Sequence, residues 1–144
     1  MWTIWNGEPM KKEEIRELEQ IAEAFAPSVE QIADGLYDHP EIKYEEFFAY
    51  KTYTDYLKRQ GMTVTEHAAD IATAFVASYK QGEKGPCIAL LAEYDALLNL
   101  GHGCGHNLLG AASLLAFEPM VRYMKEKNIP GEIRLYGCPA EEGG

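Results

Sequence analysis

An α/β layered fold, with a mixed sheet flanked by helices, is what this sequence predicts, on three observations. Apolar residues recur at three- and four-residue steps as far as Gln60. Beyond Gly61 the period shortens to strand-like alternation and short apolar runs. A helical segment then links two of those runs as a crossover, the connection that sets strands into a helix-covered sheet.

The elements follow in order. Residues 11–25 read as an amphipathic helix with Ile15, Leu18, Ile21, Ala22 and Phe25 on one face. Pro27 is expected to interrupt it, with Val29, Ile32, Ala33 and Leu36 continuing the spacing in a second piece that His39-Pro40 stops. Glu45 and Glu46 suit the first turn of the next helix, which ends near Gly61 and turns Phe47, Tyr50, Tyr53 or Thr54, and Leu57 inward. The ordinary reading of those aromatics is core packing. Strands are expected over residues 62–67, 72–79 and 87–92. The joint at residues 81–86 has the turn chemistry of a hairpin or tight loop. The run Cys87-Ile88-Ala89-Leu90-Leu91-Ala92 lacks alternation, as expected of a strand covered on both faces. A helix follows from about Leu108 to Lys127, with Asn107 placed to cap it and Pro119 to bend it. A last strand, residues 132–138, runs directly into paired glutamates.

Composition narrows the function. The chain has 144 residues, the size of one domain, and 47% hydrophobic against 25% charged residues, a globular balance. Its formal charge of -10 speaks against nucleic acid as a main partner, since phosphate binding needs a basic face. No apolar run approaches the roughly 20 residues of a membrane span. Residues 1–5, Met-Trp-Thr-Ile-Trp, lack the basic start and apolar core of a secretion signal. An odd count of three cysteines does not form a disulfide framework, so a reducing cytoplasm is the expected setting.

The chemistry concentrates in Gly101-His102-Gly103-Cys104-Gly105-His106-Asn107. Here a thiol and an imidazole stand two residues apart, both preferred donors for zinc and its first-row neighbours. Glycines allow the loop positive φ angles that bring both side chains to one point. The preceding strand delivers Glu93, Tyr94 and Asp95; the last strand delivers Glu141 and Glu142. Together they would make a mixed N, O and S site at the carboxyl ends of strands, where open α/β sheets gather their active sites. Of two consecutive glutamates one can reach a metal and the other water, and the residues alone do not say which does which. Plainer readings stand beside these: Cys104 as a small buried residue, His106 bonded to a backbone carbonyl, Asp95 in a turn, both glutamates solvated. His102 is either a support for a ligand or merely structural. Cys87 and Cys138 read as core, and His39 and His67 carry no assignment.

Three ordered segments, Ala92-Glu93-Tyr94-Asp95-Ala96-Leu97, the Gly101–Asn107 loop, and Pro139-Ala140-Glu141-Glu142-Gly143-Gly144, resemble the signatures of the aminoacylase and carboxypeptidase-G-like metallopeptidases. They are most similar to the amidohydrolase branch, with its aminobenzoyl-glutamate hydrolases and dipeptidases. Residues 38–46 resemble that family's Pro-Glu-x-x-x-Glu-Glu segment. The resemblance implies that Cys104, His106 and Glu142 are metal ligands, that Glu141 is the general base, and that Asp95 is the acid behind the metal that orients its ligands. It implies one or two divalent ions, zinc or manganese, a small N-acyl amino acid or dipeptide substrate, and a homodimeric parent.

The same resemblance makes residues 1–144 the N-terminal portion of the catalytic domain of a two-domain metallopeptidase, without the lid and dimerisation domain. On that expectation the chain is truncated and inactive alone. The alternative is a non-catalytic fold fragment with a partner-binding or regulatory role, binding a metal weakly or not at all, whose exposed sheet edge favours strand addition or self-association. A thiol redox protein is a weaker reading, because no second cysteine lies close to Cys104.

Overall fold

In the computed structural model residues 10–143 are described, so the opening residues 1–5 and the terminal Gly144 lie outside the described residues. The first helix, α1, is a single element, Lys12–Asp38, and Pro27 does not divide it. Proline removes one hydrogen bond to the preceding turn. The apolar spacing nevertheless stays in phase across it, so Ile21, Val29, Ile32, Ala33 and Leu36 bury one continuous face. Tertiary burial outweighs the local defect. Ile15, expected inward, is 42% exposed.

The second helix, α2, spans Phe47–Arg59 and turns Tyr50, Tyr53, Thr54 and Leu57 inward as the spacing predicts. Phe47 is 55% exposed, because burial along this helix begins at Ala49. Tyr53, Phe75 and Tyr94 form an aromatic cluster under α2, with Phe75 stacked on Tyr94 at 6.2 Å and on Tyr53 at 5.9 Å between ring centroids.

Among the described residues four strands follow: β1 Thr63–Glu66, β2 Phe75–Gln81, β3 Cys87–Glu93 and β4 Gly131–Cys138. Their order is β1-β2-β4-β3, with β1/β2 and β2/β4 antiparallel and β3/β4 parallel. This is the mixed sheet of the predicted α/β class. The helix α3, His106–Lys127, supplies the crossover from β3 to β4.

Of the two readings of the joint at residues 81–86, the structure has the tight loop and not the hairpin, because β4 lies between β2 and β3; the loop passes the start of β4, where the Pro86 carbonyl accepts from the Glu132 amide at 2.8 Å. Three expectations about this region are corrected. Strand β3 is not covered on both faces. Among the described residues it is an edge strand, with Ile88 50% and Leu91 54% exposed. Cys87 is accordingly exposed and Cys138 half-buried, neither being core. Lastly, Asn107 does not cap α3 but sits within it, its side-chain amide donating to the Ala33 carbonyl at 3.2 Å and tying α3 to α1. Pro119 is held inside α3 without ending it.

The sheet positions the chemistry. Because β3 and β4 run parallel, with Glu93 opposite Cys138, their carboxyl ends open on one edge. The start of α3 rises from the same edge.

Candidate metal centre

His106 is the hub. Gly105 precedes it at φ 86, a left-handed conformation that leaves the loop free to enter α3 with His106 as first helical residue. Gly101 also has positive φ, at 62. The imidazole is buried and its two nitrogens face different partners. Nδ1 lies 3.0 Å from both the backbone carbonyl and Oδ1 of Asp95. Both of those groups accept, so Nδ1 carries the proton and donates.

The other nitrogen, Nε2, looks into a ring of carboxylates: Glu93 at 3.2 Å, Glu141 at 3.7 Å and Glu142 at 3.8 Å. Among the described residues no lysine or arginine pairs with any of the three.

Cys104 sits beside this ring. One ligand atom each from Cys104, His106 and Glu142 lie within 4.8 Å of one another, and the same holds for Glu93, His106 and Glu141. The Cys104 thiol points to the Asp95 carbonyl, 3.8 Å away. Burial pushes its pKa up and the Glu142 carboxylate adds to the rise. A neighbouring cation reverses that balance by stabilising the thiolate.

Asp95 underlies all of this. It is wholly buried, and while Oδ1 receives His106, Oδ2 accepts the Glu142 amide at 2.9 Å. Glu142 is thereby held against the histidine, and Glu141 projects beside it with its side chain 51% exposed.

The structure thus brings Glu141, Glu142, Cys104, His106 and Asp95 together. His102 is buried under the loop and belongs to neither ligand cluster; burial and then the nearby His106 lower its pKa. Two further residues gain a more specific place than the sequence gives them. Glu93, one of the acids the sequence delivers at this strand end, is a direct neighbour of His106 Nε2 at 3.2 Å. Glu46 suits an ordinary helix start by sequence, yet it is fully buried.

The donor set fits a divalent ion. An imidazole nitrogen facing three carboxylates that no lysine or arginine among the described residues pairs with, next to a thiol, is a donor set that a divalent ion can complete. Sulfur, nitrogen and oxygen donors together suit a first-row divalent ion.

No family model matches the chain. A subunit of the p-aminobenzoyl-glutamate hydrolase of Escherichia coli is 40% identical across 90% of this chain, which covers 30% of that protein. The Xaa-Arg dipeptidase of Homo sapiens is 32% identical across 90% of this chain, which covers 33% of it. Among solved structures, an aminohydrolase from methicillin-resistant Staphylococcus aureus superposes with a TM-score of 0.76 at 23% identity, over 88% of this chain and 35% of that one. A dinuclear metal binding peptidase of the M20 family from Bacillus subtilis gives 0.67 at 24% identity, over 83% and 36% respectively. These likenesses of structure establish the α/β fold. The chain spans about a third of the length of the relatives it matches.

Proposed function

We propose that this chain, homologous to the aminoacylase and carboxypeptidase-G-like metallopeptidases over about a third of their length, carries part of a metal-dependent amidohydrolase site. The reaction is hydrolysis of the amide in small N-acyl amino acids, aminobenzoyl-glutamate-like compounds or dipeptides. The observation that carries this reading is the approach of Cys104, His106 and Glu142 within 4.8 Å, with Glu141 alongside.

Cys104, His106 and Glu142 would hold the ion, with Glu93 at its margin. When bound, a divalent cation polarises the substrate carbonyl and makes water more acidic. The remaining work falls to the chain. Asp95 fixes the His106 tautomer so that Nε2 faces the site. Glu141, the more exposed of the paired glutamates, takes the proton of the attacking water and returns it to the leaving nitrogen. Its open position gives access to substrate, whereas Glu142 is anchored through its amide.

Zinc is the expected ion, with manganese the next candidate. A small-molecule substrate agrees with the acidic charge of -10, which disfavours nucleic acid. Among the described residues no helix is long and apolar enough to cross a membrane. A reducing cytoplasm is the setting this reading takes, from the odd count of three cysteines. The E. coli relative is named as one part of a larger assembly, and association with further copies, a homodimer in the first instance, is part of the reading.

The test is to measure zinc and manganese per chain by equilibrium dialysis, together with hydrolysis of N-acyl amino acids. We expect one tightly held ion and little turnover by these 144 residues. A chain that takes up neither metal would overturn the site. A second reading, a non-catalytic fragment that docks a partner, draws on the exposed β3 edge; it gains if metal uptake is absent.

A further inference from the structure

A fully buried carboxylate outside the ligand cluster has three donors and no cation. Glu46, just before α2, accepts from the Tyr44 amide at 2.9 Å and from the Ala140 amide at 2.9 Å through one oxygen. Its other oxygen accepts from the Thr73 hydroxyl at 2.8 Å. Those donors come from three separate stretches: the approach to α2, the entry to β2, and the exit from β4. Among the described residues Glu46 forms no ion pair. Burying a charge without a counter-ion is costly, and it persists where hydrogen bonds replace its hydration.

Its most distant partner explains the arrangement. Ala140 has φ 61, a left-handed conformation that a residue with a Cβ adopts only under constraint, and it immediately precedes Glu141. Two residues on, the Glu142 amide is held by Asp95. The turn bearing both glutamates is therefore pinned at each end by a wholly buried carboxylate, Glu46 before it and Asp95 after it. Thr73 extends the link, since its carbonyl accepts from the Tyr94 hydroxyl, and Tyr94 lies between Glu93 and Asp95. One network thus joins both strand ends.

We infer that Glu46 is a positioning residue: through the Ala140 amide it holds the strained turn that presents Glu141 and Glu142 to His106. Its consequence for ion binding rests on the metal-site reading above; its hold on the turn does not. Glutamine at this position keeps one oxygen for the two amides and can donate to the Thr73 oxygen, whereas leucine supplies neither.

The experiment compares the full chain with Glu46→Leu, Glu46→Gln and Leu114→Ala, the last a core variant remote from the turn that controls for lost stability. Hydrogen exchange at the Ala140 amide, relative to core β4 amides, reads the turn without metal. Cobalt(II) titration, followed by the thiolate-to-cobalt absorption of Cys104, reads the ligand cluster. Glu46→Leu is expected to speed Ala140 exchange at least tenfold and to weaken cobalt binding about 10- to 100-fold, the range for residues that orient ligands. Glu46→Gln should restore most of both, and Leu114→Ala should move neither selectively. Unchanged Ala140 exchange in Glu46→Leu overturns the inference, as does an equal cobalt loss in Leu114→Ala. If the parent chain binds no cobalt while Ala140 still responds, the metal reading falls and the positioning role stands.

Discussion

Asp95 holds His106 with one carboxylate oxygen and the Glu142 amide with the other, at 3.0 Å and 2.9 Å. Asparagine cannot reproduce this, because either orientation of its amide sets an N–H group against a donor. Asp95→Asn is expected to lower zinc affinity about 10- to 100-fold while preserving the fold. Competition against a chelating dye, with circular dichroism as control, measures it; an unaltered affinity would contradict the orienting role.

The paired glutamates are predicted to separate by function. Glu142→Gln and Cys104→Ser should each sharply reduce metal content, and the serine variant should lose zinc preference because it loses the soft donor. Glu141→Gln should retain metal. In any form of the protein that turns over N-acyl amino acids it should lose at least ~100-fold in kcat, the lower bound for a general base. Retained turnover would defeat the assignment of Glu141.

Glu118, 3% exposed on α3, gives a stability effect remote from the site. Burial raises its carboxyl pKa to about 7, from an ordinary value of 4.5. Below 4.5 both folded and unfolded chains carry the proton. As pH rises toward 7 the unfolded chain ionises first, so stability falls across that window and levels off above it. The loss is on the order of 1–3 kcal/mol. Melting temperature should drop between pH 5 and pH 8, and Glu118→Gln should flatten the curve and melt higher at pH 8. A wild-type curve flat over that range would refute the prediction.

Gly110 lies where α3 meets the end of β3. A Cβ there would fall 2.5 Å from the Glu93 carbonyl oxygen and 2.6 Å from the Tyr53 hydroxyl. Gly110→Ala gains up to ~1 kcal/mol in helix propensity but should still destabilise by about 1–3 kcal/mol through overpacking. Because the clash is with Glu93, metal affinity should fall as well. Urea unfolding measures the first effect, and a more stable alanine variant would show that the contact relaxes freely.

Much of the site is legible in the sequence because its residues are chemically distinctive and sit at punctuation marks in the chain. Cys104 and His106 lie among glycines, Asp95 follows an apolar strand, and Glu141-Glu142 follow another. Glu46 closes the 38–46 segment that resembles the family's, but the residues give it no positioning role: it stands in the run Glu45-Glu46 before a helix, where acids are ordinarily solvated. Its burial comes from Thr73 and Ala140, residues 27 and 94 positions away. Glu93 is legible as one of the acids at that strand end, while its 3.2 Å approach to His106 Nε2 is a tertiary fact.

By itself the sequence determined the succession of helices and strands, the crossover from β3 to β4, and the types of donor atom available, because periodicity and side-chain chemistry are local properties. Tertiary structure alone decided that α1 passes through Pro27 unbroken, that β4 lies between β2 and β3, and that Glu46 turns inward to hold Ala140. Each of those outcomes depends on which surfaces meet after the chain has closed on itself. Burial gained from distant partners can there exceed the preference of a proline, an apolar run or a charged side chain taken alone.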